Sequence, residues 1–410
     1  MASEEIANTT DTATAENGDG EEKGNIETAT EAEDINEIRA VFLTAFGGLH
    51  RMKVQKIPEP TPLEGEVVVR VKACGLNFID LMLRQGALEN PPRTPLVMGF
   101  ECAGIVEATG KGASKFQHGD RVIVFKRYGT WSEIVTAAER FCFRMPASMS
   151  FEEAASLPMS YLTAYMMLFD IASIKSGKSV LVHSAGGGVG TAVSQLCKTV
   201  ENIQLYGTAS AHKHEALQGQ FTHLVDRATH DYHHEIKSLS PDGIDVVLDC
   251  LCGDDTNKGY TLLAPMGKYV LYGSSNIVTG ETRSFLSFAK SWWQVDKINP
   301  IKLYEENKSI AGFNLLNLVF EQGRHDLLSH VMAELIQMYN QNKIKPIIDS
   351  TWAFEEITEA MQRMHDHKNI GKIILNPHQE QRRQSCHNDV RYDIIMPDVY
   401  KRQEKIRVME

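Results

Sequence analysis

The chain contains no apolar run approaching the roughly 18 residues that a bilayer-spanning helix needs. Its best stretch, 161–172, is short and is broken by Asp170. Cysteine is scarce, with seven in 410 residues and no CxxC spacing. An odd number without paired spacing points to reduced thiols rather than a disulfide scaffold. Positive charge is also in deficit, at 42 Lys+Arg against 53 Asp+Glu. Such a chain is a poor partner for nucleic acid, which needs a basic field to displace counterions. The first residues have neither a basic segment nor an apolar stretch of the secretory kind, and their acids oppose a mitochondrial transit peptide. These absences predict a cytoplasmic protein with no transmembrane segment.

The net charge of −11 is unevenly placed: residues 1–40 hold 12 acids against Lys23 and Arg39. With no aromatic and almost no aliphatic residue, 1–38 cannot bury enough surface to offset its ordering entropy, and it reads as a disordered acidic segment. Residues 377–410 are polar and read as a disordered tail. The stretch between is close to neutral and long enough for more than one core.

That middle stretch changes rhythm once. Up to about residue 150 it consists of short β-rich runs, such as 66–72, 104–108, 121–125 and 132–136, with many Gly and Pro between them. From about Phe151, short apolar runs at 180–183, 203–207, 222–226, 244–249, 269–273 and 309–313 alternate with helical patterns. Strands covered on both faces lose polar alternation, so this half predicts a doubly wound parallel sheet.

The strongest motif lies at 179–196, where an apolar strand runs through Ala185-Gly186-Gly187-Gly188-Val189-Gly190 into an amphipathic helix. It matches the dinucleotide fingerprint with Ala185, Gly187 and Gly190 in the three glycine slots. Gly187 would let backbone approach a pyrophosphate, and Gly190 would let the helix close on the strand. The free N–H groups and positive dipole of the helix start suit phosphates. Twenty residues on, an NAD site places an acid on the ribose, but this chain has Ser210 and Lys213 and no acid. Both can donate to a 2′-phosphate, so NADPH is the expected cofactor. Six histidines between 212 and 234 show no convincing metal spacing and read as loop residues.

The glycine motif, the segment 73–80 (ACGLNFID) and the segment 161–165 resemble the zinc-free quinone oxidoreductases of the medium-chain dehydrogenase/reductase superfamily. Residues 207–217, Trp292-Trp293 and 345–354 carry a closer likeness to its vesicle amine transport protein homologues. The resemblance covers 39–376. It implies a GroES-like β-rich catalytic domain (39–165, completed by 345–376) and a Rossmann nucleotide-binding domain (166–344), together an α/β protein. It also implies a homodimer paired through the edge of the nucleotide-domain sheet.

Zinc members place a cysteine ligand where this chain has Asn77 and a histidine ligand where it has Phe100. Glu101 alone cannot hold a catalytic zinc, so no metal is expected. The resemblance sets Asn77 and Asp80 near the nicotinamide and substrate, and Thr163, Gly188, Val189, Gly273, Ser274, Phe313, Asn314 and Lys372 along the cofactor. Relatives carry a tyrosine where this chain has Leu88, which leaves Tyr128 or solvent to polarise the substrate. The expected activity is hydride transfer from NADPH to a quinone or α,β-unsaturated carbonyl. The alternative is a weakly active regulatory or scaffold protein at vesicle or mitochondrial outer membranes, attached peripherally or through a partner.

Overall fold

The computed structural model describes residues 36–227, 231–278 and 300–382. Residues 1–35, Trp292-Trp293 and 383–410 lie outside the described residues. Of the segments read as disordered over 1–38 and 377–410, Glu37 and Ile38 instead begin a strand, with Ile38 buried, and His378 and Arg382 hydrogen-bond to the carbonyls of Val71 and Thr351.

The front half builds antiparallel sheets. β1 (Glu37–Leu43) pairs with β2 (Met52–Pro58) on one side and β4 (Leu96–Val97) on the other. A seven-stranded sheet contains β3 (Glu66–Leu76), β5 (Glu101–Thr109), β6 (Arg121–Phe125), β7 (Ile134–Ala138) and β8 (Cys142–Arg144). In β3, Val67, Val69 and Val71 point into the main core, while Val68 on the opposite face is buried with Ile38 of β1 and Ile134 of the neighbouring strand β7. Arg70 on that second face stays partly exposed. Each such valine contributes about 1.5–3 kcal/mol of burial.

The second sheet is the expected doubly wound one. β9 (Ser179–Val182), β10 (Gln204–Thr208), β11 (His223–Val225), β12 (Ile244–Asp249), β13 (Leu263–Leu271) and β14 (Ser309–Gly312) are all parallel, in the order β11-β10-β9-β12-β13-β14. β13 begins six residues earlier than the apolar run at 269–273 suggests, because Pro265 and Gly267 break up its first half, where Pro265 and Met266 are exposed. The order reverses on either side of β9, and crevices at such switch points hold ligands in open α/β sheets.

The last two strands return to the front sheet. β15 (Ile348–Ala353) lies beside β16 (Lys372–Asn376), and β16 pairs antiparallel with β3 through Ile373 with Leu76 and Leu375 with Cys74. Gly371 also forms an isolated parallel bridge with Gly187. The end of the chain therefore touches the glycine turn directly.

Candidate cofactor and active site

The turn after β9 opens helix α1 (Gly188–Cys197), with Gly187 at its N-cap in extended conformation. A Cβ on Gly190 would lie 2.5 Å from the carbonyl oxygens of both Ser184 and Ala185, so only glycine lets the helix start this close to the strand. Ala185 in the first slot is buried and supplies one of those carbonyls. Gly187 and Gly188 face a cavity of about 1020 Å³.

Ser210, Lys213 and Arg227 line this cavity together with His367, whose ring stacks on Phe78; Leu76, Met82, Leu88 and Leu316 supply apolar wall. Asn77, Thr163, Val189, Gly190, Gly273, Ser274, Phe313, Asn314 and Lys372 lie along it as well. Three of the sequence-derived candidates do not line it: Ala185, Asp80 and Tyr128. Tyr128 packs on Phe100 with ring centroids 5.5 Å apart. Asp80 sits in the first turn of a short helix, Phe78–Arg84, where its Oδ2 accepts the Asn77 backbone N–H at 2.8 Å. Its Oδ1 has no hydrogen-bond partner among the described residues, and burial pushes the carboxyl well above its ordinary range. The structure thus places Asp80 as the helix cap behind Asn77.

The Asn77 side chain makes no cap hydrogen bond and turns toward Glu101 and Lys372. Its Nδ2 donates to Glu101 Oε1 at 2.8 Å, and its Oδ1 accepts from Lys372 Nζ. Lys372 also pairs with Glu101 Oε1, while Glu101 Oε2 accepts the Met159 N–H at 2.7 Å. Both charged side chains are almost wholly buried. Gly75 makes the arrangement possible, since a Cβ there would lie 2.3 Å from Glu101 Oε1. Buried charges of opposite sign persist only with this degree of satisfaction.

Lys213 is 6% exposed and donates to the Asn369 carbonyl at 2.7 Å. Burial lowers its pKa, which leaves an ammonium that an anion would favour. Arg227 donates to Asp255 at 3.1 Å and to Asn276 at 3.2 Å. Cys250 and Cys252 line the same cavity, and burial raises the pKa of both thiols. Sequence reasoning assigned no cavity role to Arg227, Glu101, His367 or these cysteines. Only the charge of Arg227, just after a strand of the nucleotide sheet, was a usable signal.

Two family models match the chain: alcohol dehydrogenase GroES-like domain over residues 63–157 and zinc-binding dehydrogenase over 220–375. A mouse protein, synaptic vesicle membrane protein VAT-1 homolog-like, is 58% identical over 362 residues, covering 88% of this chain and 85% of that one. The chain belongs to the medium-chain dehydrogenase/reductase superfamily. Within this superfamily it groups with VAT-1 homologues and quinone oxidoreductase relatives. A quinone oxidoreductase from Lama guanicoe is 29% identical over 349 residues, covering 82% of this chain and 97% of that one. The crystal structure of human VAT-1 homolog-like protein superposes with a TM-score of 0.74 at 52% identity, over 84% of this chain and 99% of that one. A mycobacterial structure complexed with NADPH gives 0.71 at 25% identity, over 83% and 100%. The GroES-like and nucleotide-binding folds expected from the sequence are those of this superfamily.

Superfamily members with a catalytic zinc bind it from positions equivalent to Asn77 and Phe100. Here Phe100 is buried against Tyr128, and the Lys372 ammonium occupies Glu101. Among the described residues, no group of three or more His, Cys, Asp or Glu side chains is placed to hold a metal ion.

Proposed function

We propose that this oxidoreductase-family protein reduces quinones or α,β-unsaturated carbonyls with NADPH, without zinc. The observation that carries the reading is a cavity lined at once by the glycine turn, by the cations Lys213 and Arg227 and by apolar side chains such as Met82 and Leu88. The residues fit a dinucleotide: the helix start after Gly187 offers free N–H groups, and Ser210 and Lys213 replace the acid of an NAD site. The NADPH in the mycobacterial relative agrees with this choice. Bound here, the nicotinamide would supply a hydride to the electrophilic carbon of the substrate.

The chain's own residues orient and stabilise. Glu101 and Lys372 fix the Asn77 amide, and Glu101 takes one of its two N–H groups. The other is a donor for a carbonyl oxygen as negative charge collects on it. Phe78, Met82 and Leu88 shield the cavity from water and select an apolar acceptor. The proton that completes the product comes from solvent.

The direct test is nucleotide binding followed by loss of nicotinamide absorbance over a panel of quinones and enones. Turnover with NADPH is expected. Lys213→Glu should weaken NADPH far more than NADH; equal weakening would refute the 2′-phosphate reading. Binding without turnover would favour a second reading, a cofactor-bound regulatory protein, which the apolar Leu88 in the tyrosine position supports. The outer edge of β14 is unpaired among the described residues, which supports a homodimer joined there. No helix among the described residues is long and apolar enough to cross a membrane. A cytoplasmic body that meets vesicle surfaces peripherally is consistent with that and with the names of its relatives.

A further inference from the structure

We infer that Arg227 and His367 complete the 2′-phosphate site begun by Ser210 and Lys213, and that His367 makes selection of NADPH over NADH depend on pH. This rests on the NADPH reading above and goes beyond it, because neither residue belongs to the nucleotide motif. Their convergence is geometric. Arg227 follows β11, Lys213 follows β10, and His367 lies on the return segment just before β16, yet all three line one cavity with Ser210. Lys213 Nζ donates to the Asn369 carbonyl, two residues from His367, which ties the return segment to the loop after β10.

Each cation is held without being consumed. Lys213 has three N–H donors and gives one to Asn369. Arg227 is braced by Asp255 and Asn276 through Nη2 and lines the cavity. The His367 ring stacks on Phe78 with centroids 6.4 Å apart and planes 9° apart. Its backbone is left-handed, with φ of 53°. The segment carrying it is clamped, since Asp349 accepts from Arg363 at 2.6 and 2.9 Å and from the Ile370 N–H at 2.8 Å.

The groups that act on the imidazole are Lys213 and Arg227 from across the cavity and His365 and Asp366 from its own segment. Burial, then Lys213, His365 and Arg227, hold its pKa below the ordinary histidine value, and Asp366 opposes them only weakly. The free site therefore keeps a neutral imidazole near neutral pH. A phosphate monoester adds about −1.5 to −2 charges in their midst and reverses the balance. Binding should draw a proton onto His367, forming a third charge-assisted contact as pH falls. NADH, which has a hydroxyl in place of the phosphate, offers no such inducement.

The phosphate itself titrates near pH 6, so the signal is the difference between proteins. The full chain would be titrated with NADPH and NADH between pH 6 and 8, as the natural sequence, as His367→Asn and as His367→Arg. Asparagine tolerates the left-handed backbone, so the variant should fold. NADPH affinity of the natural protein should fall with rising pH by about tenfold more than that of His367→Asn. His367→Arg should stay tight at pH 8, and calorimetry in buffers of different ionisation heat should show extra proton uptake with NADPH alone. Parallel NADPH profiles for the natural protein and His367→Asn would overturn the proposal. Arg227→Gln should lose about tenfold for NADPH and little for NADH; equal losses would reduce Arg227 to a structural role. Failure of the natural protein to bind NADPH at any pH would instead overturn the cofactor reading on which this stands.

Discussion

Asn77 shows how little of a side chain's task is written in its identity. An Asn before a short helix reads as a cap, and a cap is indeed made there, but by Asp80, whose carboxyl takes the Asn77 backbone N–H. The Asn77 amide caps nothing and faces the cavity, where Glu101 and Lys372 hold both its ends. Asn77→Ala should lower kcat by about 10²-fold, the usual cost of one lost oxyanion donor, while changing NADPH affinity far less. Steady-state kinetics beside binding titrations would check this. Lys372→Met leaves Glu101 buried without its cation and should cost about 3–5 kcal/mol of stability, read by denaturant unfolding. Leu88→Tyr would put a hydroxyl into the apolar wall, and turnover of small quinones should rise.

Elements position these residues, and here sequence was an uneven guide. The glycine turn and α1 were legible because backbone contact dictates residue type: Gly190 has no space for a Cβ. Gly190→Val should therefore abolish nucleotide binding, as fluorescence titration would show. The six parallel strands were legible because burial on both faces strips out polar residues. The Glu101–Lys372 pair was not, since it joins positions 271 residues apart and neither carries a local pattern. His367 was silent for the same reason, being placed by the Asp349–Arg363 clamp and not by its neighbours. That clamp has its own pH signature. Burial would raise the Asp349 pKa, but Arg363, Ser350 and the Ile370 N–H hold it below the ordinary value. Its stabilisation is thus full above about pH 5 and fades as pH falls through the depressed folded value. The melting-temperature gap between the natural protein and Asp349→Asn should narrow from pH 6 to pH 3.

For the whole molecule, the cavity is walled by both large sheets, so a ligand there binds the folded arrangement of both. At a hundred times its dissociation constant NADPH should add about 2.7 kcal/mol of apparent stability. Calorimetry should show one transition moving upward as a unit; movement of a single partial transition would mean that only the parallel sheet engages the ligand. The partition of charge, with 12 acids against two bases in residues 1–40, leaves this body nearly neutral. Its local cations are therefore felt by a bound anion without a competing global field.

The insertion of β16 between β15 and β3 has a consequence for how the protein is made. Leu76 can find Ile373 only after some 300 further residues have left the ribosome, so the Cys74–Leu76 end of β3, beyond the stretch that pairs with β7, waits unpaired on that side through most of synthesis. The parallel sheet, whose strands pair with near neighbours in sequence, can assemble meanwhile. Lys372 and His367 arrive with that last strand and its approach, so the nascent chain gains its anion pocket and loses its exposed strand edge in a single closing event.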